Sequence, residues 1–564
     1  WIVRTKEYDA LGRLVKQSQP HFLGQTPQHV VMTHDLLGRV TSVTEPGNRT
    51  TSTIYNGLTT TVTSPPVPAS PSGQSKTTVK DVQGRTVSVT DNAGTVQYQY
   101  DAVGNLTQVT GVSGSTTVMQ YDARGRKTAM QDPDMGNWTY AYDVLGQLKE
   151  QRDAKNQLVT MTYDKLGRLR TKVTPDGTSS WTYDTALRGS TGQPLRGALA
   201  QVAKSTDNYS ESYTYDNLGR LKTSTINAGS ALTTTHDYDT YGRLEYLTYP
   251  TGFKVRQLYD GFGYLYQVNR VAATETLLWL ANAADSHARI IDERFGNGLV
   301  TLRGYDPVTN DLQTIRTGAA GNPTSIQNLS YTFDAIDNLL TRTDASPGIN
   351  VTETFGYDSV NRLTQSTVQG SGVNITKTYN YNAAGNITYK SDVGNYTYGS
   401  SRPHAVTQVQ GIVNASYTYD ANGNQTSGGG RSITYTSFNK PKTIVGANGT
   451  TTLYYDANDN RYQKVTASGT TVYVGKLYER VTTGTLTEHK HYIYGGKSLV
   501  ATHTERNNGT PAETRYVHSD HLDSINVITD ANGNVVQRLS FDPHGKRRNA
   551  NGSDATSPIT SQIN

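Results

Sequence analysis

A Tyr-Asp-x-x-Gly motif recurs along almost the whole chain and constrains its fold more than any other feature. Clear copies begin at Tyr8, His34, Lys80, Tyr100, Tyr121, Tyr142, Tyr163, Tyr215, Tyr238 and Tyr357. Weaker copies begin at Phe333, Tyr381, Tyr419 and Tyr455. In the most regular stretch the motif Asp falls at positions 101, 122, 143 and 164, which gives a period of 21 residues. A fixed period of this length is typical of repeat proteins, in which each unit packs on its neighbours.

Each copy has the pattern of a β-hairpin. Residues alternate before the motif, as at 98–100, and again after it, as at 169–173, which predicts one strand on each side. The motif Asp accepts hydrogen bonds from backbone N–H groups, and Gly adopts the positive φ that a tight turn requires. A second turn signal, such as Pro-Asp-Gly at 175–177, closes the unit. One repeat therefore comprises about two strands and two turns.

The composition supports an all-β fold built only from such hairpins. The chain has 38 Tyr against 8 Phe and 4 Trp, together with 53 Gly, and Tyr, Thr and Val favour strands. A single hairpin is marginally stable, whereas many hairpins in a row share one sheet that strand twist forces to coil. We predict a tandem array coiled into a spiral, either hollow or packed as a solenoid. Only residues 277–289 suggest a helix or an irregular loop.

Three stretches interrupt the period, at 64–73, at 187–205 and from about 472. They predict four segments. Residues 1–185 form a repeat array, and 186–330 form degenerate repeats with irregular insertions. Residues 331–469 form a second array, and 470–564 form plain strands without the Asp-x-x-Gly turn.

Several classes of protein are disfavoured by composition. The net charge is +5 without a Lys/Arg cluster, which argues against nucleic-acid binding. The absence of Cys excludes disulfides, thiolate metal sites and a cysteine nucleophile. No apolar run has the length of a membrane span. The chain opens with Trp1 and stops at Asn564 in a polar stretch, so we interpret both ends as cuts from a longer polypeptide.

The iterated motif resembles the YD repeats of Rhs-type proteins, which also occur in toxin-complex B and C components, bacterial polymorphic toxins and teneurins. Residues 515–548, RYVHSDHLDSINVITDANGNVVQRLSFDPHGKRR, are similar to the stretch that leads into the Rhs-associated core. Asp523 replaces the Gly that the family has in that segment. The resemblance implies a hollow, shell-like β-cocoon, present here as a partial cocoon whose segment 470–564 is truncated before the core.

The resemblance also implies a function. We expect a non-catalytic structural shell fragment of a secreted Rhs-type toxin, secreted or at the cell surface. Its partners would be its own C-terminal toxin domain, absent here, and secretion or delivery proteins. The alternative is a carbohydrate-binding or adhesion module that recognises cell-surface glycans through its Tyr rings. An enzyme is the least favoured interpretation, and no catalytic, cofactor or metal site is predicted.

Two groups of residues contain side chains that could form a metal site or a protease site. His518, Ser519, Asp520 and His521, with Asp523, contain metal-ligand residue types, although a structural turn is the simpler interpretation. The remaining His489, His491 and His544 have no recognisable ligand spacing. Asp542, in Asp-Pro-His-Gly, superficially matches the DPxGL motif of the family's autoprotease. Lys546 stands where that motif has Leu, and no partner carboxylate is identifiable, so a turn is favoured.

Two further patterns concern the repeats themselves. Residues 420–424 and 530–534 are similar to calcium loops but lack the glutamate that such loops use. An Arg follows the turn Gly or Asn in many copies, where its guanidinium can reach the Asp or the carbonyls of a neighbouring turn. These residues are Arg13, Arg39, Arg85, Arg126, Arg168, Arg220, Arg243 and Arg362. We interpret them as structural.

Overall fold

The structure, a computed structural model, describes residues 1–189 and 192–555. Every regular element longer than a single turn in these residues is a β-strand. The first group of strands is β1 (Ile2–Val3), β2 (Lys6–Tyr8), β3 (Leu14–Ser18), β4 (His21–Phe22), β5 (His29–His34), β6 (Val40–Glu45), β7 (Arg49–Asn56), β8 (Thr59–Thr63), β9 (Ser75–Lys80), β10 (Thr86–Asp91), β11 (Gly94–Tyr100), β12 (Leu106–Thr110), β13 (Thr116–Tyr121), β14 (Lys127–Asp132), β15 (Gly136–Tyr142), β16 (Leu148–Arg152), β17 (Leu158–Tyr163), β18 (Leu169–Thr174) and β19 (Gly177–Tyr183).

The middle strands follow the same alternation of strand and turn. They are β20 (Leu187–Arg188), β21 (Gln193–Pro194), β22 (Leu199–Lys204), β23 (Tyr209–Tyr215), β24 (Leu221–Asn227), β25 (Ala231–Tyr238), β26 (Leu244–Thr248), β27 (Lys254–Tyr259), β28 (Leu265–Val271), β29 (Thr276–Ala284), β30 (Ile290–Phe295), β31 (Val300–Tyr305), β32 (Leu312–Ala319), β33 (Asn322–Phe333), β34 (Leu339–Asp344), β35 (Val351–Tyr357), β36 (Leu363–Gly370), β37 (Val373–Tyr381), β38 (Ile387–Lys390), β39 (Gly394–Tyr398), β40 (Val406–Gln410) and β41 (Ala415–Ser416).

The last group of strands includes those of the segment that the sequence analysis described as strands without the Asp-x-x-Gly turn. They are β42 (Thr418–Tyr419), β43 (Gln425–Gly428), β44 (Arg431–Tyr435), β45 (Pro441–Gly446), β46 (Gly449–Tyr455), β47 (Arg461–Thr466), β48 (Gly469–Val474), β49 (Tyr478–Thr483), β50 (Leu486–Gly495), β51 (Ser498–Arg506), β52 (Glu513–Ser519), β53 (Ile525–Thr529), β54 (Val535–Arg538), β55 (Ser540–Phe541) and β56 (Arg547–Arg548).

Nearly every strand pairs antiparallel with the strands next to it in sequence. One strip runs from β2 to β41, passing from β3 to β5 and from β19 to β22, and a second strip of 13 strands runs from β42 to β54. Two small pairs, β1 with β4 and β55 with β56, lie outside them. Among the described residues no pairing joins β2 to β41, so the strip is open and not a closed barrel.

A β-bulge precedes almost every Asp-x-x-Gly turn, which we call the repeat turn. In one repeat Ala141 pairs with Glu150 while Tyr142 pairs with Leu148, so Lys149 has no partner across the ladder. Such a bulge bends the strand and increases its right-handed twist. Because the bulge recurs once per repeat, the bend accumulates and the strip coils.

The coil brings distant parts of the chain together as two windings, residues 1–284 and residues 285–555. Contacts between them join Gln19 with Asn310, Arg49 with Asp337, Gln74 with Asn361, Asp134 with His404, Asp153 with Asn422, Lys172 with Asp459 and Tyr249 with Tyr492. The sequence separation falls from 291 residues at Gln19 to 243 at Tyr249. Within the second winding it is 232 at Asn297 and Thr529 and 177 at Lys377 and Asp554, where the end of this winding lies on its own earlier strands. The later part of the coil therefore uses fewer residues to follow the same path.

The hydrophobic core lies where the windings meet and is thin elsewhere. Its largest cluster combines Tyr249, Trp279 and Phe295 with Tyr478 and Ile493 from the later strands, all at most 2% exposed. These partners are some 200 residues apart in sequence, so most of this cluster depends on coiling and not on any single hairpin.

The expected all-β array of coiled hairpins is confirmed, but the expected helix or loop at 277–289 is wrong. Residues Thr276–Ala284 form strand β29, and 285–289 form a repeat turn. Asp285 accepts hydrogen bonds from the N–H groups of His287 and Arg289, and Ala288 takes the positive φ, at 60°. The sequence Asp-Ser-His-Ala-Arg did not predict this turn because it has Ala where most other repeat turns have Gly. The division into four segments remains a prediction.

Candidate functional site

The repeat turn is the smallest unit of the candidate site. In one copy an Asp122 carboxylate oxygen accepts hydrogen bonds from the backbone N–H groups of Arg124 (2.9 Å) and Arg126 (3.0 Å). The other oxygen accepts one from Arg126 Nε (2.7 Å). The hydrogen bond from the Arg126 N–H is the main reason that the pKa of Asp122 lies below its ordinary value. Gly125 closes the turn with a φ of +74°.

Arg and Tyr connect each repeat to the next. The Arg126 guanidinium lies 4.8 Å from the centre of the Tyr142 ring and donates a hydrogen bond to the Asp143 carbonyl (3.1 Å). The Tyr142 hydroxyl donates to the Lys127 carbonyl (2.9 Å). The same Arg–Tyr stacking joins Arg39 to Tyr55, Arg85 to Tyr100, Arg168 to Tyr183, Arg220 to Tyr238, Arg243 to Tyr259, Arg289 to Tyr305 and Arg362 to Tyr381. The predicted hydrogen bond to the neighbouring turn is present for Arg13, Arg85, Arg126, Arg168 and Arg362.

The windings meet along a seam, which continues where residues 515–555 at the end of the second winding lie against earlier strands of that winding. Each repeat of the first winding is joined to the next by a second turn, which we call the linking turn. Repeat turns of the second winding lie against these linking turns. Arg49, beside such a linking turn, contacts Asp311 and also Asp337 at 2.8 Å. Lys172 Nζ lies 2.7 Å from Asp459. Charged and amide side chains at the turn tips therefore join strands that no sheet hydrogen bond connects.

Aromatic rings and histidines fill the buried part of the seam. The Tyr249 hydroxyl donates to the Tyr492 carbonyl (2.7 Å), and His491 Nε2 lies 2.8 Å from Thr251 Oγ1. Phe253 stacks on His503 with ring centres 4.5 Å apart. Burial lowers the pKa of His491 to about 4 and that of His503 to about 3, so both rings are neutral near pH 7.

The metal-ligand residue types between His518 and Asp523 do not point to a common centre. His518 is buried, with Nε2 3.0 Å from Thr529 Oγ1, and burial lowers its pKa to about 3. His521 packs on Tyr331 instead. Asp520 forms a repeat-type turn, and Asp523 takes its positive-φ position at 59°. Within residues 1–189 and 192–555, no group of three or more His, Asp or Glu side chains is arranged to hold a metal ion.

Asp542 also forms a turn. Its carboxylate accepts hydrogen bonds from the N–H groups of His544 (3.0 Å) and Lys546 (2.8 Å), and Lys377 Nζ is 3.9 Å away. This is the geometry of Asp122 in the repeats. His544 packs on Tyr379, and His489 stacks on Tyr478.

The two calcium-like loops direct their oxygen atoms to N–H donors. Asp420 accepts hydrogen bonds from Asn422 and Asn424 and lies 3.2 Å from Lys155 Nζ in the first winding. Asp530 accepts hydrogen bonds from Asn532 and Asn534. Both loops are repeat turns whose carboxylates are already engaged.

Sequence reasoning missed the seam, although a signal for it exists. Several repeat turns of the second winding have Asn or Asp where the first winding has Gly, and these side chains reach the first winding. They are Asn310, Asp337, Asn361 and Asp459.

A comparison with family models matches the description RHS Repeat at residues 81–116, 100–134 and 142–179. The matched repeats contain the turns and Arg–Tyr contacts described above. Residues 81–134 and 142–179 of this chain therefore match RHS repeats. No curated protein matches the sequence of this chain.

Solved structures of Tc toxins share the fold of this chain. The Tc holotoxin pore of Photorhabdus luminescens with the TccC3-D651A mutation has a TM-score of 0.82 at 17% identity, over 96% of this chain and 32% of that one. TcdB2-TccC3 without its hypervariable C-terminal region has a TM-score of 0.82 at 18% identity, with the same coverage. TcdB2-TccC3 has a TM-score of 0.81 at 17% identity, over 97% and 34%. This chain spans about a third of the length of the chains in these solved structures.

The described part of the chain offers no helix that is long and apolar enough to cross a membrane.

Proposed function

We propose that this chain forms part of the wall of a shell that encloses a toxic polypeptide, and that it has no catalytic role. The observation that supports this most is the seam, through which one sheet of hairpins becomes a wall of stacked windings. Neighbouring strands in such a sheet are ~4.8 Å apart, so a folded protein cannot pass between them. The wall would therefore separate a cargo from its surroundings without chemistry.

The opposite margin of the first winding supports a wall that extends further. We call its repeat turns the free rim. They place apolar side chains in solvent, at 75% to 103% exposure, at Leu11, Leu36, Leu37, Val82, Val103, Val144, Leu145, Leu166, Leu218, Tyr241 and Phe262. In the second winding the corresponding side chains of Ile336 and Val360 are partly covered. Exposed apolar side chains in a row indicate a surface made for contact, and a further winding fits it.

The cargo in this proposal is the chain's own C-terminal toxin domain, with secretion or delivery proteins as further partners and a secreted location. One similar structure is described as TcdB2-TccC3 without a hypervariable C-terminal region. By analogy, we place the cargo after residue 564. Asp542 and the turns at 420–424 and 530–534 are assigned structural roles only.

Limited proteolysis tests the shell. In the gene product that contains these 564 residues, the downstream domain should be cut at least about tenfold more slowly than the same domain alone. Phe295→Asp together with Phe253→Asp places charges in the buried seam and should abolish the protection. Thr510→Asp together with Ala512→Asp adds the same charges at exposed positions of the turn between β51 and β52, away from the seam and the free rim, and this matched control should leave the protection intact. Equal cutting rates for the enclosed and isolated domains would contradict the proposal.

A carbohydrate-binding function is the second candidate, because aromatic rings are exposed on two successive repeat turns. Tyr241, Phe262 and Tyr264 are 83%, 90% and 62% exposed, whereas most repeat Tyr rings are partly buried and donate their hydroxyls to backbone carbonyls. Rings of this kind stack on sugars. A glycan array should then give signals that the Tyr241→Ala, Phe262→Ala double variant loses. An array without signals would remove this candidate and leave the shell unaffected.

A further inference from the structure

A cavity of about 730 Å³ opens on one face of strands β47 to β50. Four cationic side chains line it, Arg461, Lys464, Lys476 and Lys490, with one acidic residue, Glu479. Arg461 and Lys476 are exposed, whereas Lys464 and Lys490 are partly buried. The cavity therefore carries three more positive than negative charges, although the whole chain carries only +5.

These four cations differ from many others in the wall because none of them forms an ion pair with a described residue. Cations at the seam, such as Arg49 and Lys172, have acidic partners within 3 Å. The Glu479 carboxylate is engaged with the Tyr492 hydroxyl. Uncompensated charges collected in one concavity favour the binding of an anion, since each would otherwise repel the others.

The rest of the lining selects among anionic ligands. Arg461 lies 4.6 Å from the centre of the Tyr473 ring, and the Tyr494 hydroxyl donates to the Lys476 carbonyl at 3.1 Å, which fixes that ring. Lys and Arg donate hydrogen bonds but accept none. The lining is therefore rich in donors, and it suits a ligand rich in acceptors more than a neutral sugar, which must both donate and accept.

We propose that this cavity binds a short acidic segment of an extended polypeptide. From β47 to β50 are three strand steps, ~14 Å, and an extended chain covers that distance in about four residues at ~3.3 Å per residue. Alternate side chains of such a segment point to the same side and can present their carboxylates to the lysines, while Tyr473 and Tyr494 contact its backbone. This site goes beyond the shell function, and it stands or falls separately from protection of a cargo.

Fluorescence anisotropy tests the site with a labelled eight-residue peptide that alternates Glu and Ser. The peptide should bind the 564-residue chain at least about tenfold more tightly than its Gln-Ser counterpart. Its binding should weaken as salt is added, because salt screens the charges. The Lys464→Gln, Lys490→Gln double variant should weaken binding about fivefold to tenfold. The control, Lys76→Gln with Lys165→Gln, removes the same charge from exposed positions outside the cavity and should change it less than about twofold.

Three outcomes would overturn the proposal. One is equal binding of the acidic and Gln-containing peptides. Another is an equal loss in the cavity variant and the control variant, which would indicate attraction by net charge alone. The third is tighter, Lys464- and Lys490-dependent binding of a sulfated oligosaccharide, which would assign the cavity to glycans. Glu479→Gln gives a further check, because removing the one acidic group should strengthen peptide binding about twofold.

Discussion

The repeat turns of the first winding and those of the second share a backbone but differ in their side chains. In both, an Asp carboxylate accepts backbone N–H groups two and four residues on, as Asp122 and Asp334 do. On the free rim the positive-φ residue is Gly, and apolar side chains beside it project into solvent. At the seam that residue is often Asn or Asp. Asp337 contacts Arg49, and Asn361 exchanges two hydrogen bonds with Gln74.

The difference separates two physical requirements. The turn itself needs only an Asp and a residue that tolerates positive φ, and Gly, Asn and Asp all meet that need. Which of the three occurs depends on the neighbouring winding, because Gly has no side chain with which to reach it. A variable position inside a repeat motif therefore reports tertiary contacts that the motif alone does not specify.

The largest expected contrast lies between two phenylalanines. Phe295 is 2% exposed in the seam, and Phe262 is 90% exposed on the free rim. Phe295→Ala should lower the local free energy of unfolding by about 3–5 kcal/mol, because it leaves a cavity in a packed core. Phe262→Ala should change it by less than about 0.5 kcal/mol. Hydrogen exchange of β29 to β31 and β51 to β53 measures both, and similar effects would erase the contrast.

A slightly smaller contrast concerns ion pairs. Arg548 lies 2.6 Å from Glu353 with both side chains buried, whereas Lys16 and Glu7 of the first winding form an exposed pair. Arg548→Met leaves a buried carboxylate with one partner fewer and should cost about 3 kcal/mol locally. Lys16→Met should cost less than about 1 kcal/mol. Exchange protection of β34 to β36 reports the first loss, and an unchanged value there would contradict the assigned role of the pair.

The next contrast is the loss of stability on acidification, which should affect the seam but not residues 81–168. The folded-state pKa values of His491, His503 and His518 lie at about 4, 3 and 3, below the unfolded value of about 6.5. The unfolded state then binds more protons, so this stability is complete above pH 6.5 and is lost as the pH falls towards 4. Residues 81–168 contain no His and should keep their exchange protection between pH 6.5 and 4.5. An equal loss of exchange protection in both regions would refute the histidines as the cause of the pH dependence. His518→Leu should make the loss of protection in the seam on acidification smaller.

The smallest contrast exchanges the turn residues themselves. Asp337→Gly keeps the backbone and removes the contact with Arg49, so the local free energy of unfolding should fall by about 1 kcal/mol. Gly12→Asn on the free rim meets no atom within 4 Å and should stay within about 1 kcal/mol of the original. Thermal melting, followed by exchange at β7 and β34 for Asp337→Gly and at β2 and β3 for Gly12→Asn, compares the two. A larger loss at Gly12 than at Asp337 would reverse our interpretation.

The sequence predicts the local structure well because its determinants are local. Asp, Gly, Arg and Tyr at fixed offsets specify the turn, the bulge strand and the link to the next repeat, as around Asp122 and Tyr142. The turn at Asp285 was missed since Ala288 takes the place of Gly. The seam was not predictable from the period, because its partners are 177 to 291 residues apart and the separation changes along the coil. The structural turn favoured for His518 to Asp523 is what the structure contains, and the two rings have different neighbours because His518 lies on β52 and His521 lies in the turn that follows it.

The stacking of the windings is the claim on which the account depends most, and carbodiimide cross-linking tests it directly. This reagent joins an amine to a carboxylate that it already contacts. Mass spectrometry should find links from Lys172 to Asp459 (2.7 Å), from Lys155 to Asp420 (3.2 Å) and from Lys442 to Asp176 (3.0 Å) in the unmodified protein. If links form only between neighbours in sequence, such as Lys16 and Glu7, the windings do not stack and the wall does not exist as described.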